Sequence, residues 1–585
     1  MFDRRWELPP QDSATKAEAL SAVAGIGSLA AGVLLRRGVD TPEGCRRFLT
    51  PRLDDLSDPG DILGMAEGAR RLALAVRQRQ RIWICGDYDV DGTSGTAILM
   101  MFLRLVGAEP RFLIPHRVKD GYGLKVPGVE HMAAEGADVA VTVDNGISAW
   151  EAAERARELG IDLIITDHHE PPERLPHCLA LINPHQAGCG SAYKELCGAG
   201  LAFKLAWAVA QELGPGRKAT PEVREFLLDA LGLVALATVA DAAPLDGENR
   251  VLVRFGMKAL EKSRLPGLVA LKRLAKAEGE LTERDLAFGL GPRINAGGRL
   301  AAADLSVRLL TTRDEAEAGQ LAQELERLNK ERREVERGVV ESARSRAEAS
   351  LTPVVMMGDE GWHLGVLGIA ASKLAERFSR PVLLAAIDPE TGLAKGSGRS
   401  VPGFNLTEAL TRAKDHLVAY GGHAYAAGFT VKRENLEAVR LSIEASLLAW
   451  SGGEKPMPLT TVDMEIPLDR LREGPVRELA RMAPYGEGNR PPVFLVRGLR
   501  LAGDPKRMGV EGKHLSFLVR SISGGGSMRA VAFNQGEGLD RLLAMREGFD
   551  LAFTPKINEW KGSVSVELEV VAVREARKNE AAGKA

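Results

Sequence analysis

The chain has 585 residues, 77 Lys and Arg against 79 Asp and Glu, and a formal net charge of −2; 45% of residues are hydrophobic and 27% charged. At roughly 150 residues per domain this is enough for about three or four domains with buried cores, and the composition excludes wholesale disorder. The balanced charge does not mark a nucleic-acid binder, so any polyanion site has to be a local arrangement.

The N-terminus, MFDRRWELPPQDS, lacks the apolar core of a signal peptide. The uncharged run Ala19–Leu35 is interrupted by Gly25, Gly27, Ser28 and Gly32 and is read as packed helix, at the short limit for a bilayer. Cys45, Cys85, Cys178, Cys189 and Cys197 include no CxxC pair, which fits a reducing compartment without disulfides. The cluster His177, Cys178, His185, Cys189 and Cys197 matches no common structural zinc spacing. A cytoplasmic protein is expected.

After an N-terminal helical segment (1–60), short β-branched runs alternate with helices: Arg81–Gly86, Val139–Val143, Asp162–Thr166 and Leu179–Ile182, with helices such as Thr93–Val106 and Ala149–Leu159 between them. That text predicts a parallel sheet covered on both faces over 61–255, with ligands beyond the carboxyl ends of its strands. Residues 256–350 read as helical. From Thr311 to Ser350, Leu321, Leu325, Leu328, Val335 and Val339 keep a 3–4 spacing among charges, the pattern of a long helix joining two domains. A smaller α/β domain (351–450) follows, then an all-β barrel (457–576) of short alternating runs, then a tail (577–585) expected to be disordered. The fold class is α/β with that β-barrel appended.

Strand 81–86 runs into Asp87-Tyr88-Asp89-Val90-Asp91, strand 139–143 into Asp144-Asn145-Gly146, and strand 162–166 into Asp167-His168-His169. If the backbone stays extended, Asp87, Asp89 and Asp91 point to one side, which is unfavourable unless cations neutralise them. The apolar segment Leu227–Ala240 ends in Asp241, which on a helix shares a face with Leu227, Leu231, Val234 and Thr238; a carboxylate on a core-facing stripe needs a strong partner. A set of carboxylates with one or two imidazoles suits Mn²⁺ or Mg²⁺ better than structural zinc. With Asp144 bridging there are ligands for two ions, the arrangement used in phosphoester hydrolysis. A single Asp after a strand is usually a turn or cap residue; four acidic clusters at four element ends are not explained that way.

GDYDVDG, VDNG and TDHH in this order resemble the DHH phosphoesterase superfamily. The fuller set resembles the RecJ family of bacterial single-strand-specific DNA exonucleases: IPHRVKDGYGL (Ile114–Leu124), INPHQ, ELCGAGLAFKL, TVAD (Thr238–Asp241), GPRINAGGRL (Gly291–Leu300), GWHLGVLGIAASKL (Gly361–Leu374), GSGRS (Gly396–Ser400) and YGGHAYAAGF (Tyr420–Phe429). The resemblance runs from about residue 30 to 575. It implies that Asp89, Asp91, Asp144, His168 and Asp241 are metal ligands, that Asp87 lies at or beside the first ion, and that His169 contacts the scissile phosphate. With Asp144 bridging, His169 and Asp144 are the candidate catalytic pair. Thr93 departs from relatives that carry Ile there, past the ligands.

Arg117, beside the glycine-rich turn that holds Tyr122, can present a bidentate fork to phosphate, although alone it would read as a surface arginine. Arg293 and Arg299 flank Asn295-Ala296-Gly297-Gly298. Ser397 and Arg399, with Gly422 and His423, have the inventory of an anion nest, although GGH alone would read as a tight turn. The resemblance makes 351–450 the DHH-associated (DHHA1) domain, facing the metal site across a cleft and holding substrate phosphates, with His363 and Ser372 as further members. The barrel looks like an OB-fold, in which Phe517, Phe533, Phe553 and Trp560 are candidates for base stacking. Core packing is the commoner fate of each. Lys506, Arg507, Lys513 and Lys561 lie nearby.

The resemblance implies a metal-dependent 5′→3′ exonuclease on single-stranded DNA that releases mononucleotides in repair and recombination. Implied partners are a single-strand-binding protein and a recombination helicase. Nothing in the sequence demands an oligomer, so a monomer is expected, with no membrane. Two other readings remain: a DHH hydrolase of short oligonucleotides, cyclic dinucleotides or pyrophosphate, which needs no third β-domain, and a non-catalytic relative whose acidic residues have decayed. The acidic residues are all present here.

Overall fold

The computed structural model describes residues 1–10, 12–117, 120–300, 303–350, 352–454, 457–560 and 562–576; the tail expected at 577–585 lies outside them. The chain divides into two compact units. One is Arg52–Trp450 with Gly486–Asn489; the other is discontinuous, Met1–Pro51 with Ser451–Tyr485 and the residues from Arg490 on.

The first unit is built around a five-stranded sheet in the spatial order Arg111–Leu113, Ile82–Gly86, Val139–Val143, Asp162–Thr166, Ala180–Ile182, and every pairing is parallel. Both faces are covered because both carry apolar side chains. Ile82, Ile84, Val139, Val141, Val143 and Ile164 join one core, and Trp83, Cys85, Ala140, Leu163 and Ile165 the other, with the two-residue period of a strand. The chain's direction across the sheet reverses between Ile82–Gly86 and Val139–Val143. That switch point opens a crevice beyond the carboxyl ends of these two strands, where Asp87 and Asp144 stand.

The larger core also takes in the helices Gly198–Leu213, Pro221–Ala240, Pro266–Ala275 and Gly291–Leu300. A 35-residue helix, Glu315–Ala349, starts where Asp314 accepts a hydrogen bond from the Glu317 N–H at 2.7 Å. Its first half buries Leu321, Leu325 and Leu328 in the core of the parallel sheet. Its second half buries Val339, Ala343 and Ala347 against the second sheet's core.

That second sheet has the order Leu417–Gly422, Ala426–Lys432, Leu393–Arg399, Val382–Ile387, Val355–Asp359. Only its last two strands pair in parallel; the others are antiparallel. After Val382–Ile387 come three more strands, Leu393–Arg399, Leu417–Gly422 and Ala426–Lys432, with the short helix Leu406–Arg412 among them and the helix Leu436–Ser451 after them. Glycines at 396, 398 and 428 hide the alternating pattern of these strands in the sequence.

In the second unit a barrel forms from Phe494–Leu501, Phe549–Trp560, Ser563–Glu575, Ser527–Ala532 and His514–Ser521, closed by pairing of the first strand with the last. The N-terminal segment belongs to this unit. Arg5–Glu7 pairs in parallel with Leu459–Thr461, and Leu20, Leu29, Val33 and Leu34 are buried in one core with Phe494, Phe517 and Phe553. The run expected as one helix is two, Ser13–Ala24 and Ser28–Arg36, bent by 114° where Gly25 takes φ 66°. No single helix among the described residues is long and apolar enough to cross a membrane; this bent pair passes by length and composition only when taken together.

Candidate metal centre and phosphate cleft

Each acidic cluster is held by the start or end of a helix or strand. Asp89 is the N-cap of the helix Val90–Leu105: its Oδ1 accepts from the N–H groups of Asp91 at 2.9 Å and Gly92 at 3.1 Å. The Thr93 hydroxyl donates back to the Asp89 carbonyl at 2.5 Å. Asp91 therefore lies in the first helical turn, and the expectation that Asp87, Asp89 and Asp91 extend to one side is corrected. Its carboxylate turns instead to the N-terminus of the helix Gly198–Leu213, where Oδ2 accepts from the Gly198 N–H at 2.6 Å and Oδ1 from the Ala199 N–H at 2.7 Å.

Two groups of ligand atoms that share no residue result, each within 4.8 Å: Asp87 with Asp89 and Asp144, and Asp91 with His168 and Asp241; a third, Asp144 with His168 and His169, overlaps both. Asp144 also touches the second group, because its Oδ1 is 3.1 Å from His168 Nε2. From the same nitrogen, Asp91 Oδ2 is 3.8 Å and Asp241 Oδ2 3.9 Å away. Asp144 takes φ 63°, a left-handed conformation uncommon for a residue with a Cβ, and its N–H donates to the Thr166 carbonyl at 3.1 Å. Asp241 does not sit on the core-facing stripe. It caps the C-terminus of Pro221–Ala240 with its side chain 28% exposed, at the negative end of that helix's dipole, where a carboxylate is disfavoured unless a cation is near.

Burial, then the neighbouring carboxylates, push Asp87, Asp144 and Asp241 well above the usual carboxylate range, and Asp91 moves up chiefly through burial. Burial lowers His168, toward the neutral imidazole that binds metals. Asp87 Oδ1 and Asp144 Oδ1 are buried and accept no hydrogen bond. Orphaned carboxylate oxygens beside like charges are costly as they stand, and divalent cations on both groups would relieve them. The donor set, all oxygen and imidazole, fits Mn²⁺ or Mg²⁺. Among the described residues no group of this kind contains a cysteine, so the Cys178–Cys197 region assembles no zinc site.

His169 has its own support. Burial works against its charged form, but the Asp167 carboxylate, 2.7 Å from Nδ1, raises it overall. Asp167 is buried, and its other oxygen accepts from the Ile147 N–H at 2.9 Å. Asn183 Nδ2 donates to the His169 carbonyl at 2.8 Å, and the Tyr122 hydroxyl, 3.2 Å from His169 Nδ1, donates to the Asp144 carbonyl at 2.7 Å. Asn145 ties the switch point together: its amide donates to the carbonyls of Cys85 and Val143 at 3.0 and 2.9 Å. The roles of Asp167, Asn145 and Asn183 are not legible in the sequence, although the D-H-H and D-N-G contexts hold the first two. Asp167→Asn is expected to lower turnover about 10- to 100-fold, the usual cost of removing an orienting carboxylate, with strand affinity unchanged. Steady-state kinetics beside binding in chelator checks this.

Next to this centre is a cleft of about 440 Å³ lined by Arg117, Arg299, Ser372, Lys373, Ser397 and Arg399 among others. The Arg117 guanidinium lies 3.9 Å from the centroid of the Tyr88 ring, between Asp87 and Asp89 in sequence. Arg299 Nη1 donates to the Gly365 carbonyl at 3.0 Å, and burial, then Arg117, Arg332 and Arg399, bring it down to about 10. Arg399 Nη1 donates to Ser397 Oγ at 2.8 Å. Three guanidiniums lining one cleft, with Arg299 held down partly by its cationic neighbours, are a prepared anion site.

Comparison with known proteins places these elements. The DHH family N-terminal domain matches residues 81–238, the DHHA1 domain 351–447 and the RecJ OB domain 462–572. The single-stranded-DNA-specific exonuclease RecJ of Bacillus subtilis is 36% identical over 97% of this chain and 70% of its own length. That of Escherichia coli is 35% identical over 87% and 89%. The chain belongs to the RecJ family. A crystal structure of RecJ in complex with Mn²⁺ from Thermus thermophilus superposes with a TM-score of 0.82 at 33% identity, covering 98% of this chain and 80% of that one. The same protein in complex with Mg²⁺ gives 0.76 at 31%.

Within this RecJ-family chain several expected contacts fall elsewhere. Asn295 Oδ1 accepts from the Val90 N–H at 3.0 Å, so it caps the helix that carries Asp91. Arg293 is occupied by Glu326 at 2.7 Å and by the Gly289 carbonyl at 2.6 Å. His363 caps Leu364–Phe378 by accepting from the Gly365 N–H at 3.1 Å. His363, Gly422 and His423 do not line the cleft. Gly422 pairs with Ala427, which pairs with Gly398, placing Gly422 two strands, about 10 Å, from that register. Phe517 and Phe553 are core residues of the barrel, whereas Phe533 is 48% exposed. Lys513 is 3.0 Å from Glu511. The side chain of Trp560 and all of Lys561 lie outside the described residues.

Proposed function

We propose that this chain is a metal-dependent exonuclease that degrades single-stranded DNA from the 5′ end and releases 5′-mononucleotides, in DNA repair and recombination. The observation that carries the reading is Asp144, which touches both groups of ligand atoms beside a cleft lined by Arg117, Arg299 and Arg399. In this reading Asp87, Asp89 and Asp144 hold one divalent ion, and Asp91, Asp144, His168 and Asp241 the other. Two such ions supply a deprotonated water and offset charge on the phosphoryl oxygens. Asp167 favours the imidazolium form of His169, accepting from its Nδ1–H, and in that form the Nε2–H donates to a non-bridging phosphate oxygen. Arg117, Arg299 and Arg399, with Ser372 and Ser397, grip phosphates.

The match to the RecJ OB domain supports a long polymeric substrate over short oligonucleotides or cyclic dinucleotides. A single-strand-binding protein and a recombination helicase are the partners that go with this reading, and the enzyme acts as a monomer. Incubating single- and double-stranded DNA, labelled at either end, with Mn²⁺, Mg²⁺ or chelator tests it. Early release of the 5′ label as mononucleotide from the single strand, only with metal, is expected. Release from the 3′ end, or hydrolysis confined to di- and trinucleotides, would overturn it.

Arg299→Ala is expected mainly to raise KM. A lost phosphate contact on a single strand flattens the slope of log affinity against log salt by about 0.7. An unchanged slope in a salt titration of binding would make Arg299 purely structural.

A further inference from the structure

Tyr88 stands between two carboxylates of the metal centre, in Asp87-Tyr88-Asp89, yet belongs to no group of ligand atoms. Its backbone is clamped by the helix Gly291–Leu300. A Cβ on Gly298 would sit 2.2 Å from the Tyr88 carbonyl oxygen and 3.2 Å from the Tyr88 Cβ, so only glycine allows this approach. Asn295 of the same helix accepts from the N–H of the following Val90 at 3.0 Å. The Tyr88 ring, half-buried, meets the Tyr122 ring edge to face, with centroids 6.4 Å apart at 76°. Backbone and ring are thus held from two sides.

Over this ring lies Arg117, its guanidinium carbon 3.9 Å from the centroid. Arg117 Nε is buried without a hydrogen-bond partner, and among the described residues no carboxylate pairs with this side chain. Arg299 lines the same cleft, and the two guanidiniums repel. A cation held there needs negative charge from some other group. A carboxylate would supply it but would also occupy the guanidinium's donors. The π face of a ring supplies it and leaves the N–H groups free for a ligand.

We infer that Tyr88 is a positioning residue: its ring face holds the Arg117 guanidinium in the phosphate cleft against the repulsion of Arg299, so that a phosphate meets a preset fork. Without that face the side chain has to be ordered when the substrate binds, which weakens affinity. The effect falls on binding and not on bond breaking, because Tyr88 supplies no ligand atom to the metal centre. The inference rests on the nuclease reading, in which Arg117 grips a phosphate of the strand.

A double-mutant cycle of Tyr88→Leu with Arg117→Ala tests it, read as affinity for a labelled single-stranded dodecamer in chelator and as KM and kcat with Mn²⁺. Tyr88→Leu is expected to weaken binding and raise KM about fivefold, within the range of a cation–π contact, with kcat within about twofold of wild type. In the Arg117→Ala background the same substitution is expected to change affinity and KM by less than about twofold, because the group that Tyr88 holds is gone. Tyr88→Phe keeps the face and is expected to match the wild type. Replacing Tyr88 by 3,4,5-trifluorophenylalanine keeps the ring but draws charge from its face. A higher KM than in Tyr88→Phe is expected there, and this comparison stands even if Tyr88→Leu does not fold. Equal losses in both Arg117 backgrounds, a fall in kcat at unchanged KM, or no effect of fluorination would reduce Tyr88 to packing and overturn the inference. A wild type that cleaves no single strand would instead sink the nuclease reading, and the cycle in chelator would still judge Tyr88.

Discussion

Asp144→Ala is expected to abolish hydrolysis, by about a thousandfold or more with either metal, while single-strand affinity in chelator changes by no more than a few fold. The reason is position. Asp144 contributes to the group formed with Asp87 and Asp89, and its Oδ1 also stands 3.1 Å from His168 Nε2. Removing any other carboxylate touches one group; removing this one breaks the group with Asp87 and Asp89 and also takes away the carboxylate beside His168 in the other. The phosphate grip belongs to Arg117, Arg299 and Arg399, none of which depends on Asp144 for a hydrogen bond, so binding survives.

Asp144→Asn separates chemistry from folding. Asparagine tolerates the left-handed φ of 63° as aspartate does, so the backbone is kept and only the charge is lost. In chelator this variant is expected to melt at or above the wild type, because a buried carboxylate among the like charges of Asp87, Asp89, Asp91 and Asp241 is gone. With Mn²⁺ the order reverses, since a cation that binds only the folded state adds about 2.7 kcal/mol at a hundred times its Kd. Thermal melts with and without Mn²⁺ check this, and substantial turnover remaining in Asp144→Ala would remove the bridging role.

The chemistry was more legible in the sequence than the fold around it. Apolar strands ending in Asp87, Asp144 and Asp167 declare a parallel sheet with its ligand edge, because strand period and carboxylate burial cost both act over a few residues. Asp241 needed more. Its helix was readable, but the periodicity that put it on the core stripe stops at the last turn, and the side chain opens to the crevice instead. Asp91 was misplaced because the N-cap at Asp89 bends the chain two residues earlier than an extended reading allows.

Longer-range pairings left no local trace. Nothing near Arg5 announces that it will pair with Leu459 at the other end of the sequence, or that Leu29 and Val33 will share a core with Phe494. The antiparallel half of the second sheet was hidden by Gly396, Gly398 and Gly428, which hydrogen-bond as strand but carry no side chain to alternate. Phe517 and Phe553 look like stacking residues in a list of aromatics; only the inward register of their strands makes them core.

Gly198→Ala is the second substitution expected to have a large effect, and it acts without touching a ligand. Gly198 opens the helix Gly198–Leu213, whose first N–H groups hold Asp91. Its φ is unremarkable for a helix; what requires glycine is proximity. A Cβ there would sit 2.5 Å from the Cβ of Asp144 and 2.9 Å from its Cα. Because Asp144 is fixed through its own N–H to Thr166 and through its carbonyl to Tyr122, the strain cannot be shed by a side-chain rotation. Either Asp144 or the helix must move by about 1 Å, a displacement that costs on the order of a hundredfold in rate when it misaligns reacting groups. Overpacking of this kind costs about 1–3 kcal/mol in stability. Lower kcat, weaker Mn²⁺ binding by calorimetry and near-normal strand affinity in chelator are therefore expected together. Wild-type kcat in a folded Gly198→Ala protein would mean that the Asp91 and Asp144 carboxylates do not have to meet at this separation for the enzyme to work.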